Sequence, residues 1–417
     1  MSKRCISTVF GFVLLAAFGV FCVLPTSSTA ATQEDADASV EDLVELRNKI
    51  GQMIMVGFLG DSPKAGGFQK VRQQLQSGAI GGVLYLGRNL RNQETVRRMN
   101  GELRAASPSR LPVLIAIDQE GGVVQRLKRH HGFPHTLSAK QIAKQSSLAD
   151  AAEIYGVLAG GLAEWGFTLN LGPVVDVDVN PRNPIIGRLG RSYSRDPGRV
   201  AAYGGAFVEA HRKHGVLTAL KHFPGHGSSR RDSHKGAVDV SRSWSEKELE
   251  PFRNLIVEDR ADIIMTAHVI NRKLQGKGER GPVSLSKGVL SRVLREDLGF
   301  GGVIMSDDLQ MDAIRRNHSL KDAIVKAVAA GTDIILFAND KRPDPNIPAK
   351  VADILLEASA KDPELAQKIA AAHDRIVALK ARLGSVPKVA LASSGDLEAW
   401  LSEIAPDPDR CTLEYVQ

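Results

Sequence analysis

Cysteine is nearly absent from this chain, and so are long apolar runs and strong net charge. There are three cysteines in 417 residues, Cys5, Cys22 and Cys411. Two of them fall in an N-terminal segment read below as a removable leader, so the remainder could form no internal disulfide. Beyond that segment no stretch is apolar for the about 20 residues a membrane-spanning helix needs, so no stable membrane insertion is expected. The formal charge is only +7, and two of those charges, Lys3 and Arg4, belong to the leader. The densest basic run, Arg126 to His131, is interleaved with a motif of another kind, which excludes a nucleic-acid-binding reading. Nothing resembles G-x-G-x-x-G, a P-loop or G-x-S-x-G, so dinucleotide, phosphate-loop and serine-hydrolase chemistries drop out.

Residues 1–30 read as a secretory signal. Lys3 and Arg4 form the basic end, Val9 to Leu24 the apolar core, and Ser28-Thr29-Ala30 a small-residue cleavage site. An uncleaved anchor is the alternative. Cys22 suggests lipid attachment, but Gly19-Val20-Phe21 before it is too bulky for a typical lipobox. The expected location is periplasmic or secreted. Residues 31–40 read as a polar linker, 41–386 as the catalytic domain, and 387–417 as a tail with one short helix around Leu397 to Ile404.

What the chain does have is one repeated rhythm: a short apolar run, a polar or Gly-containing loop, then an amphipathic helical stretch. The apolar runs are Met53–Gly57, Gly82–Leu86, Val113–Ile117, Leu169–Val177, Leu217–Leu220, Asp262–Thr266, Gly302–Met305 and Asp333–Phe337. Continuous apolar character, rather than alternation, marks strands buried on both faces and hence a parallel sheet. Helices such as Leu137–Trp165, Pro197–His214 and Pro363–Leu383 fall between or after them. Eight such strands predict a (β/α)8 TIM barrel; an open doubly wound sheet is the structural rival.

Barrel enzymes keep their chemistry on loops at the carboxyl ends of strands, and polar residues accumulate there. The third run ends in Asp118-Gln119-Glu120-Gly121-Gly122 with Arg126 beyond, and the fourth in Asp176 and Asp178 followed by Arg182, Arg188 and Arg191. The sixth ends in Thr266-Ala267-His268 and the seventh in Ser306-Asp307-Asp308. The fifth leads into Lys221-His222-Phe223-Pro224-Gly225-His226-Gly227-Ser228-Ser229-Arg230-Arg231-Asp232-Ser233-His234, three histidines, an Asp and a Lys in fourteen residues. Its glycines and proline exclude helix. At a spacing of two, the side chains of Asp232 and His234 can lie on one side and meet. A carboxylate beside an imidazole fixes its tautomer and favours its protonated form, which suits a general acid/base. One such residue could be a helix cap; five clusters on one rim indicate an enzyme.

Two chemistries stay open on the residues alone. Glycoside hydrolysis needs a carboxylate on one side of the sugar and an acid on the other, which Asp307 or Asp308 and the Asp232/His234 pair can supply. Metal-dependent hydrolysis could instead use His222, His226, Asp232, His234 and His268.

The elements Asp118-Gln119-Glu120-Gly121-Gly122 with Arg126, Lys221 through His234, and Gly302-Val303-Ile304-Met305-Ser306-Asp307-Asp308-Leu309 with Met311 resemble family 3 glycoside hydrolases. Within them they are most similar to the bacterial β-N-acetylglucosaminidases of the NagZ type, over about residues 45–385. The resemblance implies a retaining exo-enzyme that releases terminal GlcNAc, from peptidoglycan fragments or other amino-sugar glycans. It implies Asp307 as nucleophile, His234 oriented by Asp232 as acid/base, and Asp118, Arg126, Lys221 and His222 as substrate-binding residues. It implies no metal or cofactor, and leaves His226 a loop-shaping role. Two-domain relatives take their acid/base from a following domain; here a single catalytic domain without that second domain is expected, acting as a monomer. Where the family has I-G-x-R-S-F/Y, this chain has Ile186-Gly187-Arg188-Leu189-Gly190-Arg191-Ser192-Tyr193, two residues longer. Arg191 keeps the R-S-Y context and is preferred to Arg188 for the substrate. A broader β-glycosidase, a phosphorylase and an inactive glycan-binding barrel are the alternatives.

Overall fold

The computed structural model describes residues 33–107 and 111–384. The expected leader and the tail with its short helix lie outside the described residues. The chain divides into a short unit, Met1–Asp42, and a large one, Leu43–Gln417, which holds the barrel.

Eight short strands form the barrel wall: β1 (Ile54–Gly57), β2 (Gly82–Tyr85), β3 (Leu114–Ile117), β4 (Leu169–Asn170), β5 (Leu217–Phe223), β6 (Ile263–Thr266), β7 (Val303–Ser306) and β8 (Ile335–Phe337). Every strand residue is buried, as the continuous apolar runs require. Neighbours in sequence are neighbours in space from β1 to β7, all pairs parallel, and β8 pairs with β1 at Ile54↔Ile335 and Val56↔Phe337. A single parallel bridge, Met305↔Ile334, joins β7 to the start of β8 and completes the ring. The helices cover the outside. Each buried Leu, Ile, Val or Phe contributes about 1.5–3 kcal/mol, and the core is continuous from Ile50 to Leu379.

Helix ends follow local chemistry. Asp196 and Asp362 cap helices whose first residues are Pro197 and Pro363, where a missing N–H costs nothing. The long helix expected over Leu137–Trp165 is two helices, Ala139–Gln145 and Leu148–Trp165. Ser147 breaks it by forming a reciprocal cap with Asp150. Residues 33–40, expected as a polar linker, lie in the helix Gln33–Gln52; alanines and early acidic residues favour helix there.

Two departures bear on the site. The fourth strand was expected to reach Val177 but pairs only over Leu169–Asn170, because Gly172-Pro173 interrupts the ladder and proline has no N–H to give. The fifth is longer than expected and runs to Phe223, so Lys221 and His222 sit on strand rather than loop. After its break the fourth segment still follows β5, with Val175 N–H donating to the Lys221 carbonyl at 2.9 Å.

Candidate active site

The rim is built on β3, β4, β5, β6 and β7. Asp118 follows β3 directly, and Glu120, two residues on, projects to the same side of the extended chain. Both carboxylates meet Lys221 from β5: its ammonium donates to Asp118 at 2.9 Å and lies 2.7 Å from Glu120. Asp118 also accepts from the Arg126 guanidinium at 3.1 Å. Arg191 grips Glu120 with two parallel N–H···O bonds of 2.8 Å and donates a third to the Ile185 carbonyl. Gln119, pointing the other way, accepts the backbone N–H groups of Arg126 and Leu127 and so fixes the loop that delivers Arg126.

These five charges sustain one another. Burial opposes the charge on Asp118, but Lys221 and Arg126 outweigh it and hold the carboxyl well below its usual range. Glu120 is likewise opposed by burial and brought down to about 2 by Arg191 and Lys221. Lys221 is buried yet raised, because two carboxylates exceed the desolvation cost. The cluster is therefore fully ionised across the physiological range.

Beside it stands Asp176, fully buried. One oxygen accepts the main-chain N–H groups of His222 at 3.2 Å and His226 at 2.7 Å, and the other meets His222 Nδ1 at 2.7 Å. A neutral ring that donates from Nδ1 offers Nε2 as an acceptor on its far side. His226 is enclosed between hydroxyls, Nδ1 at 2.9 Å from Ser229 and Nε2 at 3.1 Å from Ser233, and burial lowers it to about 4. It shapes the loop as a neutral group. His268 has Nδ1 at 2.7 Å from the Ser284 hydroxyl and Nε2 at 3.1 Å from the Asp308 carbonyl. The loop also lies flat on the β4 exit: a Cβ at Gly227 would sit 1.7 Å from the Val177 carbonyl oxygen, so only glycine fits.

Asp307 and Asp308 leave β7 together. Asp307 N–H donates to the Thr266 carbonyl at 3.2 Å, and Asp307 Oδ1 accepts the Asp308 N–H at 2.8 Å. Asp308 spends one oxygen on the N–H groups of Gln310 and Ala338. Burial, with Asp307 adding repulsion, lifts its carboxyl to about 6. Asp308 thus joins the β7 and β8 loops, a distinction strand parity could not draw. Asp232 precedes the 3-10 turn Ser233–Lys235, which carries His234. That turn packs on the short helix Asp312–Arg315, just past Asp307 and Asp308. Of the two candidate arginines, Arg191 lies in the charged cluster and Arg188 is exposed outside it.

Asp176 and Glu120 are the partners the candidate set lacked. Glu120 was readable from its two-residue spacing to Asp118; Asp176 pairs with groups 46 and 50 residues away, for which no local pattern exists.

A closed parallel barrel with carboxylates, cations and imidazoles gathered at the carboxyl ends of its strands is the construction of a barrel enzyme. The chain belongs to glycosyl hydrolase family 3: the family's N-terminal domain matches residues 45–379. It is 32% identical over 381 residues to "Beta-hexosaminidase A" of Pseudoalteromonas piscicida, covering 83% of this chain and 62% of that protein, so it spans less than two thirds of that relative. A "Beta-hexosaminidase" of Tolumonas auensis is 34% identical, covering 65% of this chain and 79% of that protein. Among solved structures, a family 3 β-N-acetylglucosaminidase from Paenibacillus superposes with a TM-score of 0.76 at 30% identity, covering 86% of this chain and 68% of the other. A β-N-acetylhexosaminidase from Beutenbergia cavernae gives 0.72 at 28% identity, covering 81% and 98%.

Proposed function

We propose that the chain is a retaining, exo-acting β-N-acetylglucosaminidase, exported from the cytoplasm, that removes terminal GlcNAc from peptidoglycan-derived or other amino-sugar glycans. The observation that carries this is the packing of the Ser233–Lys235 turn on the helix Asp312–Arg315. That helix lies on the connection that follows Asp307, which supports the pairing of the two segments in one site. The names of the similar proteins support the choice of sugar.

In the first step an Asp307 carboxylate oxygen bonds to the anomeric carbon as the bond to the aglycone oxygen breaks, and His234 gives that oxygen its proton. In the second, His234 takes a proton from water, whose oxygen displaces Asp307 and restores the β-anomer. Asp232 orients the imidazole and supports its charged form. Lys221 has three donors, two of them directed to Asp118 and Glu120; the third, with Asp118, Arg126 and His222, serves the sugar hydroxyls and acetamido group. Arg191 acts through Glu120.

A mechanism-based fluorosugar of GlcNAc should label the peptide containing Asp307, with the β-anomer as first product. Labelling elsewhere, or inversion, would overturn the double displacement. Dependence of turnover on added phosphate would indicate a phosphorylase, and loss with a chelator restored by zinc a metal hydrolase.

A further inference from the structure

Beneath the loop that carries the proposed acid/base lies a buried carboxyl group that the mechanism above does not use. Glu248 ends the 3-10 turn Glu246–Glu248 and is wholly buried. One of its oxygens accepts the Ser228 N–H at 3.1 Å; the other has no hydrogen-bond partner among the described residues. Gly225, at φ +110°, lies directly against it, and a Cβ there would sit 2.5 Å from the Glu248 Cβ. From the same stretch, Trp244 Nε1–H donates to the Pro224 carbonyl at 2.9 Å. The loop is therefore held from below at Pro224, Gly225 and Ser228. The next residue, Ser229, meets His226 Nδ1 at 2.9 Å, and His226 Nε2 lies 3.1 Å from the hydroxyl of Ser233, the residue before His234.

We propose that Glu248 is a positioning residue for the acid/base segment: by fixing the main chain at Ser228 it sets where His234 stands over the leaving oxygen. This rests on the proposed role of His234. An orphaned buried oxygen is tolerable on a neutral carboxyl and costly on a carboxylate. Burial, with the Asp176 charge nearby, outweighs hydrogen bonding from Ser228 and Gly227 and raises Glu248 to about 7. The titratable groups around it are Asp176, ionised, and His226, neutral, with His222 paired to Asp176. Below about pH 7 the carboxyl is protonated and the loop held as described; above it, a second negative charge appears under the loop beside Asp176 and loosens its seat.

The experiment compares Glu248→Ala and Glu248→Gln on a GlcNAc disaccharide and on a dinitrophenyl GlcNAc glycoside, across pH, with His234→Ala alongside. A mispositioned acid costs on the order of 10²-fold where protonation of the leaving group is needed. Glu248→Ala should lose about that much on the disaccharide and under about tenfold in glycosylation by the aryl substrate, which departs without a proton. Glu248→Gln, the neutral isostere, should restore the disaccharide rate and move the alkaline fall in activity to higher pH, leaving only the part set by His234. Equal losses on both substrates for Glu248→Ala, or a wild-type pH profile in Glu248→Gln, would overturn the proposal. Should Glu248→Ala not fold, the Glu248→Gln profile decides alone. If His234→Ala discriminates between the substrates and Glu248→Ala does not, this inference fails and the acid/base assignment stands. If His234→Ala does not discriminate, both fall together.

Discussion

The two ends of the barrel use the same chemistry to different purposes. On the rim, Asp118 and Glu120 bind Lys221, Arg126 and Arg191. On the floor, Asp333 is held by Arg295 and Arg375, and Asp262 by Arg212 and Arg382. The floor carboxylates precede their strands and bond backbone, Asp333 accepting the Ile304 N–H at 2.7 Å and Asp262 the Thr218 N–H at 3.1 Å. The rim carboxylates follow their strand and hold cations brought from β5 and from the loops after β3 and β4. A buried ion pair is thus no sign of function by itself; the strand end on which it stands decides.

The comparison is broken most sharply by removing one aspartate from each end. Asp307→Ala should lower turnover on the order of 10⁴–10⁶-fold, the scale for a residue acting in a catalytic unit, and leave thermal unfolding nearly unchanged. Asp308→Ala should not abolish fluorosugar labelling. Asp333→Ala should do the reverse. It strands two guanidinium groups around a buried site, so unfolding in urea should fall by about 3–5 kcal/mol while activity per folded molecule is kept. Equal behaviour of the two variants would erase the distinction between rim and floor.

Smaller changes sharpen it. Arg191→Lys keeps the charge but cannot reproduce the bidentate grip on Glu120, so kcat/KM should fall roughly tenfold to a hundredfold with a small loss of stability. The weakest effects lie in pH. Glu120, brought down to about 2 from an ordinary 4.5, contributes stability that is present above about pH 4.5 and lost as pH falls towards 2. Lys380 on the floor, donating to Gln52 and the Gly81 carbonyl, is lowered to about 7 by burial from an ordinary 10.5. Its unfolded form binds a proton over that window and its folded form does not, so its contribution to stability rises with pH between them. Unfolding free energies measured across pH should show the acid loss reduced in Glu120→Gln and the alkaline gain absent in Lys380→Met.

Much of this was legible because a barrel is periodic. The eight apolar runs and the polar residues after them mark both the fold and its active end. Legibility failed where contacts bridge distant segments. Asp176 reads as a strand-end aspartate until β5 brings His222 and His226 against it. Nothing in the run Glu246-Lys247-Glu248 marks Glu248 as buried until the loop folds over it. The lengths of β4 and β5 were misjudged for a related reason: Pro173 ends the β4–β5 ladder, while the polar residues Lys221 and His222 stay in strand because Asp118, Glu120 and Asp176 satisfy them. The choice of Asp307 over Asp308 was set by the family motif, and the geometry adds what Asp308 does instead.

The Trp244 bond to Pro224 has an optical consequence. The chain has three tryptophans, Trp165, Trp244 and Trp400, and the buried indole N–H of Trp244 is tied to the loop. Indole emission responds to hydrogen bonding and to water. A protein keeping Trp244 alone, with phenylalanine at 165 and 400, therefore carries its own fluorophore where the loop is tied down, and a sugar that shifts the loop would report its arrival as a change in colour.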